Sequence, residues 1–251
     1  MKINSDQELV CGLNTVKEII SIRPKSVVNL IVLGTKSSQR LEALMELASK
    51  NQIEILNREV SFFEDNFQNL NHQNIAILCN KRLEENESFM DKLLEKENLL
   101  ILVLDHLTDP HNVGACLRSA AAAGANAVIV PKNRACHLTP TVRKISSGGS
   151  ELLPFIIVTN LNRTLEKISN AGVTIIGAAA GTDLSHTSIN MEGKVALIIG
   201  SEDKGIKRLT AERCDQLASI KMQGGVESLN ASVTAGILLF EYVRQNNRQN
   251  T

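Results

Sequence analysis

The chain has 251 residues, 43% of them apolar, with no Trp, one Tyr and six Phe, so its core must be aliphatic and its length allows one large domain or two modest ones. Its 27 Lys and Arg balance 27 Asp and Glu, which excludes the strongly basic character of a protein that grips polyanions over a whole surface. No stretch approaches 18 apolar residues, MKINSDQELV lacks an apolar signal core, and five scattered Cys form no CxxC pair; these features argue against a membrane span, a zinc site and a disulfide framework, and for reduced thiols in the cytoplasm.

In chain order, Val16, Ile19 and Ile20 fit one helix face, and VNLIVLG at 28–34 reads as a strand. Residues 38–52 place Leu41, Leu44, Met45 and Ala48 at i, i+3, i+4 and i+7, the spacing of an amphipathic helix. IEIL at 53–56 and IAILC at 75–79 are strands, with a helical turn at 60–67. Residues 1–79 therefore form a small α/β domain without a catalytic cluster. Residues 80–98, NKRLEENESFMDKLLEKEN, are dense in charge and read as a linker. Residues 1–98 hold 12 basic and 15 acidic residues, and 99–251 hold 15 and 12, so the halves carry −3 and +3.

From Leu99 apolar runs recur: LLILVL, AVIVP, 153–158, 173–178, 195–200 and 217–222. Helical patterns lie between them, as at 160–172, and a long helix closes the chain from about Ser232 to Arg248. Strands alternating with helices predict an open, mostly parallel sheet over 99–251, with its chemistry at the carboxyl ends of the strands.

GxGxxG after a strand, GxxxxGK[ST], HExxH and GxSxG are all missing, which disfavours a dinucleotide dehydrogenase, a P-loop NTPase, a zincin and an elbow-type hydrolase. Three polar, Gly-containing loops remain, each at the end of an apolar run: Asp105 to Arg118, Gly200 to Gly205, and Ile220 to Ser232. Glycine there lets a backbone approach a ligand closely, and loops from different strands can converge on one crevice. Taken singly, each has a plainer account. Asp109 and Asn112 are suited to capping a helix, as are Ser228 and Asn230, and Gly200 and Gly205 to turns. Arg118 lies among Ala, Leu, Cys and Ser on a helix expected to pack against the sheet. Burial there calls for a carboxylate or ligand, and Glu202 is the candidate partner. His106 and His111 are spaced poorly for a metal and are given no catalytic role.

Together the loops resemble the three motifs of the SpoU/TrmH family, in the SPOUT superfamily of S-adenosylmethionine (AdoMet)-dependent RNA ribose 2′-O-methyltransferases. The first matches in Asp105, Asp109, Pro110, Asn112, Gly114 and Arg118. The second matches in Gly200, Glu202 and Gly205, and the third in Met222, Ser228, Leu229, Asn230 and Ser232. Lys221 stands where the family usually has Pro before Met. The resemblance implies a C-terminal trefoil-knot methyltransferase domain preceded by a small L30e-like RNA-binding domain. It also implies a homodimer, no metal, and a guanosine in 23S rRNA as target. A tRNA target, or a non-catalytic RNA-binding ribosome-assembly factor on the same fold, are the competing outcomes. Carried over, Gly200, Ser201, Ile220, Met222 and Leu229 hold AdoMet, and Asn112, Arg118, Glu202, Ser228 and Asn230 line the reaction site. Arg is a poor base because of its very high pKa, so Arg118 is expected to position substrate and stabilise charge developing on oxygen, with Glu202 orienting it.

Overall fold

The computed structural model describes residues 3–34, 38–68, 70–201 and 203–247. The chain folds as two compact units: residues 1–83 with 138–152, and residues 84–137 with 153–251.

The first unit is built on β1 (Gln7–Cys11), β2 (Val27–Leu33), β3 (Glu54–Arg58) and β4 (Ile75–Asn80), in the order β1-β4-β2-β3. β4 pairs antiparallel with β1 and β2, and β2 pairs parallel with β3. Helices α1 (Leu13–Ile22), α2 (Gln39–Lys50) and α3 (Val60–Asn66) connect them. Strand side chains alternate between two faces. Leu30, Val32, Ile75 and Ile77 pack with Val16, Ile19, Ile20, Leu41 and Leu44 of α1 and α2, whereas Ile31, Ala76 and Leu78 pack with Phe63 and Phe67. The helix expected at 38–52 forms, and Ser38 caps it by accepting from Leu41 N.

The second unit carries α4 (Phe89–Leu94), β5 (Leu99–Asp105), α5 (Pro110–Ala122) and β6 (Ala127–Pro131). In the first unit, the segment 138–152 contributes α6 (Pro140–Ile145) and α7 (Gly149–Leu152). The second unit continues with β7 (Phe155–Val158), α8 (Leu161–Asn170), β8 (Thr174–Ala178), β9 (Lys194–Gly200), α9 (Arg208–Ala211), β10 (Gln216–Ala218) and α10 (Ala231–Asn247). The order is β10-β8-β9-β5-β6-β7, with every pairing parallel. This is the α/β, mostly parallel sheet the sequence predicts for 99–251.

The expected division differs from the structure in two places. Residues 84–98 are no free linker: α4 buries Met90 and Leu93 in the core of the second unit, and Glu85 exchanges backbone bonds with Phe155 and Ile157 of β7. Residues 138–152 belong to the first unit, held by a buried charge cluster. Arg143, 1% exposed, meets Glu8 at 2.9 Å through Nε and Glu151 at 2.7 Å through Nη1, and Arg23 Nε meets the other Glu151 oxygen at 2.8 Å. Two guanidiniums and two carboxylates thus neutralise one another away from water. β1 was not expected, because QELVC puts a Glu at a buried position and reads as polar. At the other end of the chain, the apolar run at 217–222 yields only the three-residue β10.

None of the five cysteines is in a disulfide; Cys11, Cys79 and Cys116 are buried.

Candidate functional site

Parallel strands bring the ends of β8, β9, β10 and β5 to one edge of the sheet. β5 ends at Asp105, which lies opposite Gly200 in the register with β9. Asp105 is fully buried. Its Oδ2 accepts from Lys207 N at 2.8 Å and its Oδ1 faces His106 Nδ1, so it ties the second loop to the first.

Asp109 caps α5 by accepting from His111 N at 3.0 Å, and Pro110 occupies the first turn, where its missing N–H leaves no bond unmade. Asn112 is 6% exposed, and its Oδ1 accepts from Asn230 Nδ2 at 2.9 Å. The Asn230 Oδ1 in turn accepts from Ser232 N at 2.9 Å and Ser232 Oγ at 2.6 Å, capping α10. The first and third loops are therefore joined through one pair of amides, and the plainer capping account holds for Asp109 and Asn230 alongside any other role.

Arg118 differs from expectation. It is exposed and has no ion-pair partner among the described residues. The buried face of α5 is set by Val113, Cys116, Leu117 and Ala120, and helical periodicity turns Arg118 away from it. Glu202, its expected partner, lies outside the described residues.

In the second loop Ser201 and Gly205 exchange two backbone bonds, Gly205 N to Ser201 O at 2.8 Å and Ser201 N to Gly205 O at 3.2 Å. This folds the chain back onto Gly200. A Cβ at Gly200 would stand 2.0 Å from the Gly205 carbonyl carbon and 2.2 Å from Ile206 N, so only glycine admits this backbone contact.

The second and third loops, with the loop after β8, enclose a pocket of about 730 Å³, within the range of small-molecule sites. Gly200, Ser201, Ile220, Met222, Ser228 and Leu229 all line it; five of these are the residues expected to hold a cofactor. Asn112, Arg118 and Asn230 do not line it. The loop after β8, Ala178 to Thr182, also does, and sequence reasoning passed over it. The available signal was the run Ala178-Ala179-Ala180-Gly181, whose small side chains leave backbone groups open to a ligand. The wall combines backbone from three strand ends with Ile199, Ile206, Ile220, Met222 and Leu229, and adds charged Lys204, Lys221 and Glu227. A ligand with a flat heterocycle, hydroxyls and an ionised tail fits that donor set. Among the described residues no group of three or more His, Cys, Asp or Glu is placed to hold a metal ion, and no helix is long and apolar enough to cross a membrane.

Comparison with known proteins follows the same outline. Residues 99–240 match the family model described as SpoU rRNA Methylase family, and residues 9–84 match that described as RNA 2′-O ribose methyltransferase substrate binding. The chain is 42% identical over 239 residues to the 23S rRNA (guanosine-2′-O-)-methyltransferase RlmB of Coxiella burnetii, covering 94% of this chain and 95% of that protein. It is 41% identical to RlmB of Haemophilus influenzae, over 95% of this chain and 98% of the relative. Its fold matches the SpoU methyltransferase AviRb of Streptomyces viridochromogenes, in complex with AdoMet, with a TM-score of 0.79 at 22% identity, over 98% of this chain and 92% of that one. The chain belongs to the SpoU rRNA methylase family.

Proposed function

We propose that the protein transfers the methyl group of AdoMet to the ribose 2′-hydroxyl of a guanosine in 23S rRNA. The observation that carries this reading is the convergence of the second and third sequence loops around a pocket of about 730 Å³, with the first loop tied to the third through the Asn112–Asn230 bond. The names of relatives about 40% identical over nearly the whole chain set the target.

When bound, AdoMet supplies a methyl group already activated by its sulfonium. The chain's own task is to hold the ribose oxygen in line and to ease the loss of its proton, because a ribose hydroxyl is a weak nucleophile at neutral pH. Gly200, Ser201, Ile220, Met222 and Leu229 are the residues that would hold the cofactor. The Asn112–Asn230 pair fixes the separation of the first and third loops. Ser228, exposed on the pocket wall, is a hydrogen-bonding group for cofactor or ribose. Arg118, exposed on α5, is free to meet RNA, to position the target and to stabilise charge developing on oxygen. Glu202 keeps its assigned role as the orienting carboxylate.

The same reading includes a knot, an RNA-binding first unit and a homodimer. The knot rests on the family match over residues 99–240; such threading is a rare exception to unknotted chains. The substrate-binding match over residues 9–84 supports an L30e-like RNA-binding role for the first unit. Val233 and Phe240, 48% and 50% exposed on α10, support a second copy of the chain as partner.

The test is Arg118→Ala, assayed by mapping ribose methylation on 23S rRNA from a deletion strain complemented with the variant, with AdoMet binding followed by calorimetry. Loss of the methylated guanosine with AdoMet binding retained is expected. Methylation near the wild-type level by a folded variant would overturn the role of Arg118, and a wild-type chain that binds no AdoMet would overturn the function itself.

A further inference from the structure

The strand order of the second unit also orders its loops. Along the carboxyl edge, the pocket loops follow β10, β8 and β9, the loop bearing Asn112 follows β5, and the loop 132–137 follows β6. The registers Asp105↔Gly200 and Val103↔Ile129 keep the ends of β9, β5 and β6 nearly level. Two inter-strand steps, about 10 Å, separate the end of β9 from the end of β6. That is a few nucleotide steps along a nucleic-acid strand.

The loop 132–137 reads Lys-Asn-Arg-Ala-Cys-His and contains no carboxylate. Its backbone is pinned. Lys132 N donates to Val158 O at 2.8 Å, Cys136 N donates to Leu107 O at 2.9 Å, and His137 Nε2 lies 3.4 Å from Pro131 O. Burial pushes the Cys136 thiol up, and the nearby Asp109 carboxylate pushes it further, in keeping with a loop seated against the start of α5. Arg134 sits at φ +55°, in the left-handed region that non-glycine residues seldom adopt. Its neighbours Lys132 and Asn133 are exposed, as Arg134 itself is, and neither cation has an ion-pair partner among the described residues. The Asp109 carboxylate near Cys136 is engaged elsewhere, accepting from His111 N.

We propose that this loop is a phosphate clamp, in which Lys132 and Arg134 bind the RNA backbone a few nucleotides from the target ribose. Cofactor, target ribose and flanking phosphates then lie in sequence across β8–β9, β5 and β6. A pinned backbone presents the two cations without first having to be ordered, which favours contact with a flexible strand. The inference rests on the reading of the protein as an RNA methyltransferase.

The test is the full-length double variant Lys132→Gln, Arg134→Gln, compared with wild type and with the charge-preserving Lys132→Arg, Arg134→Lys. Binding of a 23S rRNA fragment containing the target is measured between 50 and 200 mM salt, alongside steady-state methylation. Loss of two phosphate contacts to single-stranded RNA lowers the salt slope by about 1.4, so the wild type's advantage shrinks about sevenfold over that range. KM for RNA rises, kcat at saturating RNA stays within about twofold, AdoMet affinity is unchanged, and the charge-preserving variant recovers. An unchanged salt slope and KM in the Gln variant, beside an active wild type, would overturn the clamp and leave the methyltransferase reading intact. A fall in kcat with an unchanged slope would also overturn it.

Discussion

Gly200→Ala tests whether the second loop is built as the cofactor's wall. The new Cβ would lie 2.0 Å from the Gly205 carbonyl carbon, 2.2 Å from Ile206 N and 2.3 Å from Gly205 O. Carbon atoms are comfortable at about 3.5 Å or more, so the 205–206 backbone must retreat by about 1.5 Å. All three obstacles are main chain, and no rotamer change relieves them. The retreat strains or breaks the paired Ser201–Gly205 bonds, worth about 1 kcal/mol each, and overpacking of this kind costs about 1–3 kcal/mol. Because the displaced segment lines the pocket, a loss of about 2 kcal/mol appears in binding as roughly a 30-fold weaker AdoMet affinity. Calorimetric titration with AdoMet reads the affinity, and urea unfolding reads the stability. Gly205→Ala is the control: a Cβ there meets nothing within 4 Å, and the penalty comes only from φ +62°, about 1 kcal/mol. Wild-type AdoMet affinity in folded Gly200→Ala would refute the close-approach reasoning.

Two further outcomes concern the first unit. Arg143→Ala leaves Glu8 and Glu151 buried with Arg23 as their remaining cation; unfolding in urea is expected to show a loss of about 3–5 kcal/mol, and a loss under 1 kcal/mol would refute the structural importance of the cluster. His72 packs its ring 4.8 Å from that of Phe63, and burial, helped by Lys144, holds its pKa below 6.5. The folded chain thus favours neutral His72, the unfolded chain binds more protons below about pH 6.5, and stability is expected to fall as pH drops through that range. In His72→Phe that component of the pH dependence should disappear from denaturation curves taken between pH 5 and 7.5, and its persistence would assign it to another group.

The parts of the fold legible in the sequence are those decided locally. LLILVL and VALIIG are apolar throughout because β5 and β9 are central strands covered on both faces, and the i, i+3, i+4 pattern of 38–52 needs no partner to be recognised. What escaped depends on distant residues. β1 hides because Glu8 is satisfied only by Arg143 and Arg23. The helices α6 and α7 hide for the same reason, each burying a charged side chain, Arg143 and Glu151. At the site, glycines and loop order were readable, and they located the pocket. The direction of Arg118 was misjudged because the small residues around it suggest close packing on every side, whereas Val113, Leu117 and Ala120 had already defined the packed face. The loop 178–182 went unnoticed because alanines carry no chemistry of their own, and its use lies in the backbone they expose.

The Asn112–Asn230 bond shows why the third loop needs an amide at this position and not merely a helix cap. Asn230 follows Leu229, which lines the pocket, and precedes Ala231, the first residue of α10. Its carbonyl oxygen is committed to Ser232, and its amide nitrogen donates to Asn112. An Asp would cap α10 equally well, yet it offers no donor to Asn112 and would set a carboxylate against a carbonyl oxygen. A Ser would cap too, but its short side chain lacks the separate donor and acceptor arms that serve both ends at once. One side chain therefore sets the start of α10, the end of the pocket wall and the depth of the first turn of α5. Any shift of the third loop that moves Leu229 moves the group gripping Asn112, which ties the first loop, though absent from the pocket lining, to the pocket wall.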